Sequence, residues 1–186
     1  MIQSKQDYRE YLAADAARLS SPVNLRDWLF HKEKYYVWKF LKSLRKQEYL
    51  MNVKKGGIGK LVLQLHSIFF YRLMHKTQLY IYPNVCGPGL SIPHLGYLLI
   101  SAQAEIGKNC TIRPGTLIAS NLGSTNTKLR KVVVGDDVEF SAGCKILCKK
   151  IGNNVSVGPN AVVSKNVPDN SIVMGNPAEI VPKVVF

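Results

Sequence analysis

Four histidines can move protons in this chain, and one is set apart by its surroundings. His31, His66 and His75 lie in helix-forming sequence with no motif around them, where a histidine is ordinarily structural. His94 lies in CGPGLSIPHLGY, residues 86–97. Pro93 restricts the backbone just before it, and Gly96 leaves room beside it. An alcohol attacks an acyl carbonyl poorly while it keeps its proton. A neutral imidazole within hydrogen-bond reach removes that proton, a contribution of roughly 10²–10⁴-fold. The four cysteines form no CxxC pair and have no histidine at zinc spacing. Neither a metal site nor a disulfide framework is expected.

The elements that must hold His94 are legible as a repeat. From residue 80 an apolar residue recurs every six positions: Tyr80, Cys86, Ile92, Leu98; then Ile106, Ile112, Ile118; then Val134, Phe140, Ile146; then Ile151, Val157, Val163. A six-residue unit makes one short strand and one turn, with the marker and the residue four later pointing inward. Three such units close a triangular coil, and stacked coils bury a continuous core. Cys110 and Cys144 fall on inward positions, so packing accounts for them. The series slips by eight between Leu98 and Ile106, by sixteen between Ile118 and Val134, and by five between Ile146 and Ile151. Residues 119–133, rich in Asn, Ser, Thr and Lys, read as a protruding loop at one slip. Periodicity alone leaves the hand of the coil open.

Residues 1–79 lack the repeat and read as a basic α-helical region, with candidate helices at 4–19, 24–49 and 59–75, and Asn24 as a cap. The repeat domain is expected over 80–186. Net charge is +13, and 15 Lys and Arg face six acids in residues 1–80, against ten and six in the remainder. A basic face of this kind suits a membrane surface or a phosphorylated ligand, or is simply solvated. No nucleic-acid motif is visible. The start of the chain has no signal-peptide pattern and the longest apolar stretch is too short to span a bilayer. The expectation is a cytoplasmic protein, with peripheral contact at the inner membrane face as an extension.

The stretch from Cys86 to Ile106 resembles serine acetyltransferases and related hexapeptide-repeat acyltransferases, over about residues 78–182. The strings NVCGPGLSIPHLG, NLGSTNT and VPDNSIVMGNPAEIV look closest to the sugar and capsular-polysaccharide O-acetyltransferases of that group. The resemblance implies a mainly β fold, a left-handed parallel β-helix preceded by helices. It also implies a homotrimer with active sites between subunits, acetyl-CoA as donor, and His94 as general base. It puts Ser141, Ala142 and Gly143 near the pantetheine, and Asn160, Ser164 and Lys165 nearer the adenosine phosphates. Asn84, Asn121 and Lys131 are the candidate acceptor contacts. Two features depart from the serine enzymes. Their catalytic histidine has an acidic partner on the preceding coil, where this chain has only Leu79-Tyr80-Ile81-Tyr82. Their second active-site histidine is replaced by Arg130 or Lys131. These departures, with the short N-terminal region, favour a sugar hydroxyl as acceptor. Serine O-acetylation is the alternative, and a non-catalytic trimeric scaffold is a second one.

Overall fold

The computed structural model describes residues 1–119 and 131–183. Four helices come first: α1 (Lys5–Ala17), α2 (Leu25–Leu29), α3 (Glu33–Val53) and α4 (Gly57–Thr77). Short strands follow: β1 (Leu79–Tyr80), β2 (Leu98–Ile100), β3 (Ala104–Ile106), β4 (Thr111–Ile112), β5 (Leu117–Ile118), β6 (Val132–Val134) and β7 (Glu139–Phe140). Then come β8 (Lys145–Ile146), β9 (Lys150–Ile151), β10 (Ser156–Val157), β11 (Val162–Val163), β12 (Ser171–Met174) and β13 (Glu179–Pro182).

The strands stack in three parallel sheets, the faces of a left-handed β-helix. Their orders are β1-β2-β5-β8-β11, β3-β6-β9 and β4-β7-β10-β12, the last closed by an antiparallel β13. Each face carries a column of inward apolar side chains in register. Ile100, Ile118, Ile146 and Val163 form one. Cys86, Ile106, Val134, Ile151 and Val167 form the second. Ile112, Phe140, Val157 and Val173 form the third. All of these residues are buried, and all four cysteines are buried and free.

Register moves two of the expected markers. Leu79 pairs with Leu98 and Tyr80 with Leu99. Leu79 and Ile81 therefore point inward, while Tyr80 faces out against His75 and Tyr97. Ile100, rather than Leu98, aligns with Ile118. The two extra residues of the eight-residue step thus lie between Ile92 and Ile100, in the corner that carries His94.

The helical region also differs from expectation. Residues 24–49 are two helices instead of one. Asn24 caps α2 through a capping box with Asp27. The chain then breaks at His31, whose φ is +49°, and restarts as α3 at Glu33. Asp27 holds the break from both sides, with Lys32 Nζ at 3.2 Å and Lys34 Nζ at 2.9 Å.

The helices share one core with the first coils: Val37, Phe40, Leu41, Leu44, Phe70 and Met74 pack into the cluster that contains the β-helix interior. A buried charge knot fixes the junction. Arg45 is fully buried; its Nε bonds Asp15 at 2.8 Å and its Nη1 bonds Glu48 at 3.0 Å. The same guanidinium donates to the carbonyls of Cys86 (2.8 Å) and Gly87 (2.7 Å). Asp15 in turn accepts from the Leu90 amide and Glu48 from the Asn84 amide. Each buried charge is both paired and hydrogen-bonded, the condition under which such a group is tolerated.

Candidate active site

The corner between Ile92 and β2 projects His94 from the coil, its side chain 64% exposed. Its Nδ1 lies 3.2 Å from Glu33 Oε2. The other oxygen of Glu33 accepts the backbone N–H of Leu95. One carboxylate at the first turn of α3 therefore grips the histidine and the residue after it. A carboxylate can only accept, so Nδ1 carries the imidazole proton and Nε2 is left as the basic nitrogen. This is the arrangement a general base needs: one ring nitrogen oriented by an anion, the other presenting a lone pair.

Glu33 was missed in the sequence because the acidic partner was sought on the preceding coil. It comes instead from 61 residues upstream, on a helix whose start is set by the break after α2. The capping box Asn24-x-x-Asp27 marks only where α2 starts; the break at His31 that sets the N-terminus of α3 carries no spacing signal in the sequence.

Beside His94 lies a cavity of about 320 Å³, walled by Asp15, Arg18, Lys34, Leu90 and Ser91 among others. Arg18 and Lys34 bring positive charge to its rim. Arg18 bonds Thr111 Oγ1 at 2.8 Å, and Lys34 is held by Asp27. The volume is at the low end of the roughly 300–1,000 Å³ range of ligand pockets, a fit for a small acceptor.

The expected donor-binding residues divide between two corners. Gly96, Pro114, Gly143 and Asn160 stack on the corner below His94. Gly96 approaches Pro114, the Gly115 amide donates to Tyr97, the Gly143 amide to Pro114, and the Asn160 amide to Ala142. Gly143 has φ +76°, and a Cβ there would sit 2.2 Å from the Asn160 amide oxygen. The space a side chain would take at Gly143, Gly115 and Gly96 is filled by the neighbouring coil, so these positions let successive coils stack closely at this corner. Ser141 opens the same turn, its amide donating to Val157. Ser164 and Lys165 lie on the next corner, after β11, and are exposed.

The expected acceptor contacts are not brought to His94. Asn84 has φ +65° and bonds Asn52 at 2.7 Å, while its amide donates to Glu48. It serves the junction and does not line the His94 cavity. Lys131 is ion-paired with Glu105 across the face of β3 and β6, also outside the residues lining that cavity. Asn121 lies outside the described residues, as does most of the expected loop. Of the other histidines, His31 bonds Tyr36, and His66 bonds Gln47, its pKa lowered by burial and then by Lys46. Among the described residues, no group of three or more His, Cys, Asp or Glu is placed to hold a metal ion.

The stacked strands define a hexapeptide-repeat β-helix, and comparison with known proteins narrows the group. No protein-family model matches the chain. A serine acetyltransferase of Staphylococcus aureus (strain Mu50) is 34% identical over 134 residues, 71% of this chain and 59% of that protein. One from Mycobacterium tuberculosis is 36% identical over 125 residues, 66% of this chain and 53% of that protein. The chain thus spans under two thirds of the length of these relatives. Among solved structures, soybean serine acetyltransferase complexed with serine superposes with a TM-score of 0.74 at 25% identity, covering 95% of this chain and 70% of that one. The Neisseria gonorrhoeae enzyme gives 0.73 at 20% identity, covering 99% and 70%. The fold is that of the hexapeptide-repeat acyltransferases of the serine acetyltransferase group.

These likenesses overturn the sugar and polysaccharide reading. The relatives and the structural neighbours are serine acetyltransferases. One of its three grounds also falls, because Glu33 stands as an acidic partner of His94; the replaced second histidine and the short N-terminal region remain as departures from the serine enzymes.

Proposed function

We propose that the chain is a serine O-acetyltransferase that takes its acetyl group from acetyl-CoA. The observation that carries this reading is the Glu33–His94 pair, which makes a base of His94 beside a small cavity with a cationic rim. L-Serine binds there with its carboxylate toward Arg18 and Lys34 and its hydroxyl at His94 Nε2. As the serine oxygen attacks the thioester carbonyl, its proton passes to Nε2, and Glu33 stabilises the imidazolium that forms. The tetrahedral intermediate then collapses, the carbon–sulfur bond breaks, and the imidazolium returns the proton to the departing CoA sulfur. The products are O-acetylserine and CoA.

The thioester arm of the donor runs along the ridge of Ser141, Ala142, Gly143 and Asn160, with Ser164 and Lys165 toward its phosphates; a lysine suits an anion as a point charge. The assembly is a homotrimer with sites between subunits. The exposed apolar group Leu25, Trp28, Leu29 and Phe30, just before Glu33, supports an interface near the site. The helical region to residue 79 and the β-helix from 80 work as one catalytic unit.

The test is an acceptor panel scored by CoA release. L-Serine is expected to give turnover, while D-serine, L-threonine and free hexoses give at most a tenth of it. Equal turnover with a hexose, or none with L-serine, refutes the reading.

A further inference from the structure

The outward face of α4 takes no part in the site. The helix buries Phe70, Leu73, Met74 and Thr77 against the core. On its other side Ile58, Leu61, Leu65 and Ile68, flanked by Val62 and Phe69, are exposed, Ile58 by 83% and Leu65 by 62%. At about 100° per residue these six positions fall within an arc of roughly 120°. Surface helices normally turn such a stripe inward. This one turns a second apolar stripe away from the core, the kind of contiguous patch that marks an interaction surface.

The charge around the stripe is of one sign. Lys54 and Lys55 lead into α4, and Arg72 and Lys76 continue the stripe at its far end, all four exposed. Lys39 of α3 lies over the Phe69 ring, 5.7 Å from its centroid. No Asp or Glu occurs between Glu48 and Glu105. A second copy laid face to face on this stripe would set one cationic rim against another. An anionic surface is the complementary occupant. Among the described residues no helix is long and apolar enough to cross a membrane, and an apolar stripe with a basic rim is the pattern of a helix lying in the bilayer interface.

We propose that α4 docks the protein on an anionic lipid surface, with Ile58, Leu61, Leu65 and Ile68 at the headgroup boundary and Lys54, Lys55, Arg72 and Lys76 among the lipid phosphates. The proposal is independent of the catalytic reading, since none of these residues touches His94 or its cavity.

The test is co-sedimentation of the full chain with vesicles of equal parts phosphatidylcholine and phosphatidylserine, and with vesicles of phosphatidylcholine alone. Binding to the mixed vesicles at low salt, declining as salt is added, is expected. Lys54→Gln/Lys55→Gln weakens it by about tenfold or more, each lysine contributing about fivefold. Leu61→Gln/Leu65→Gln also abolishes most of it, with an unchanged circular dichroism spectrum and unchanged CoA release. Absent binding, or equal binding to both vesicle types, overturns the proposal. So does a lipid-free oligomer that Leu61→Gln/Leu65→Gln dissociates, because the face would then belong to a second copy. The vesicle comparison on the unmodified chain stands whatever the variants do.

Discussion

Replacing Glu33 isolates the part of the site that the β-helix does not itself supply. In Glu33→Gln one of the two accepting oxygens becomes an NH2, so the side chain can keep Leu95 N–H or His94 Nδ1–H but not both, and it no longer carries charge. The loss includes at least the attraction between a carboxylate and the imidazolium formed in the transition state, across 3.2 Å. Coulomb's law gives about 1 kcal/mol at that separation in water and about 5 at an effective dielectric of 20. Both side chains are substantially exposed, 64% and 44%, which puts the pair near the lower figure, at about 1–2 kcal/mol. Turnover in Glu33→Gln should therefore fall at least about tenfold, at about 1.4 kcal/mol per decade. Glu33→Ala also frees the imidazole to turn and strips the Leu95 amide of its acceptor, so it should fall further. The assay is CoA release at saturating L-serine, with kcat and KM separated; the loss should lie in kcat, because the charge is needed only after the proton has moved. Rates for Glu33→Ala within twofold of the unmodified enzyme refute the pairing.

Arg45→Ala leaves Asp15 and Glu48 buried without their partner, and a loss of about 3–5 kcal/mol is expected in urea unfolding. Gly143→Ala sets a Cβ against the Asn160 amide oxygen in a left-handed backbone. It should cost about 1–3 kcal/mol of stability and raise the KM for acetyl-CoA more than that for serine, as initial rates will show. Asp27 has its pKa lowered to about 2, first by the backbone N–H of Asn24 and then by Lys34 and Lys32. Its contribution to stability is complete above its ordinary value of 3.8 and is lost as pH falls through about 2. The urea midpoint of Asp27→Asn should therefore lie below that of the unmodified chain at pH 6 and converge with it in strong acid.

The β-helix was legible because its physics is periodic. Twelve of the thirteen markers are buried, and the exception, Tyr80, sits at the first coil, where pairing with Leu98 and Leu99 sets register instead of an earlier repeat. Spacing located an irregular step, and register was needed to place its two extra residues at the His94 corner. His94 was singled out by its family position beside the irregular step, and its role as base is a proposal. Its partner was not legible, since nothing in spacing links residue 33 to residue 94. The two meet because a capped five-residue helix ends at Leu29 and Arg45 ties α3 to the first coil. Reading the site from the coil alone left His94 without an acid, and that gap pointed to the wrong acceptor. Asn84, offered by nearness in sequence, makes its hydrogen bonds to Asn52 and Glu48.

The central claim is that His94 deprotonates the hydroxyl of L-serine. Its most direct test is mass-spectrometric detection of O-acetylserine from L-serine and acetyl-CoA, comparing the unmodified chain with His94→Ala. Product from the former, and a rate lower by roughly 10²–10⁴-fold from a folded His94→Ala, is the predicted result. Undiminished O-acetylserine formation by His94→Ala would contradict it.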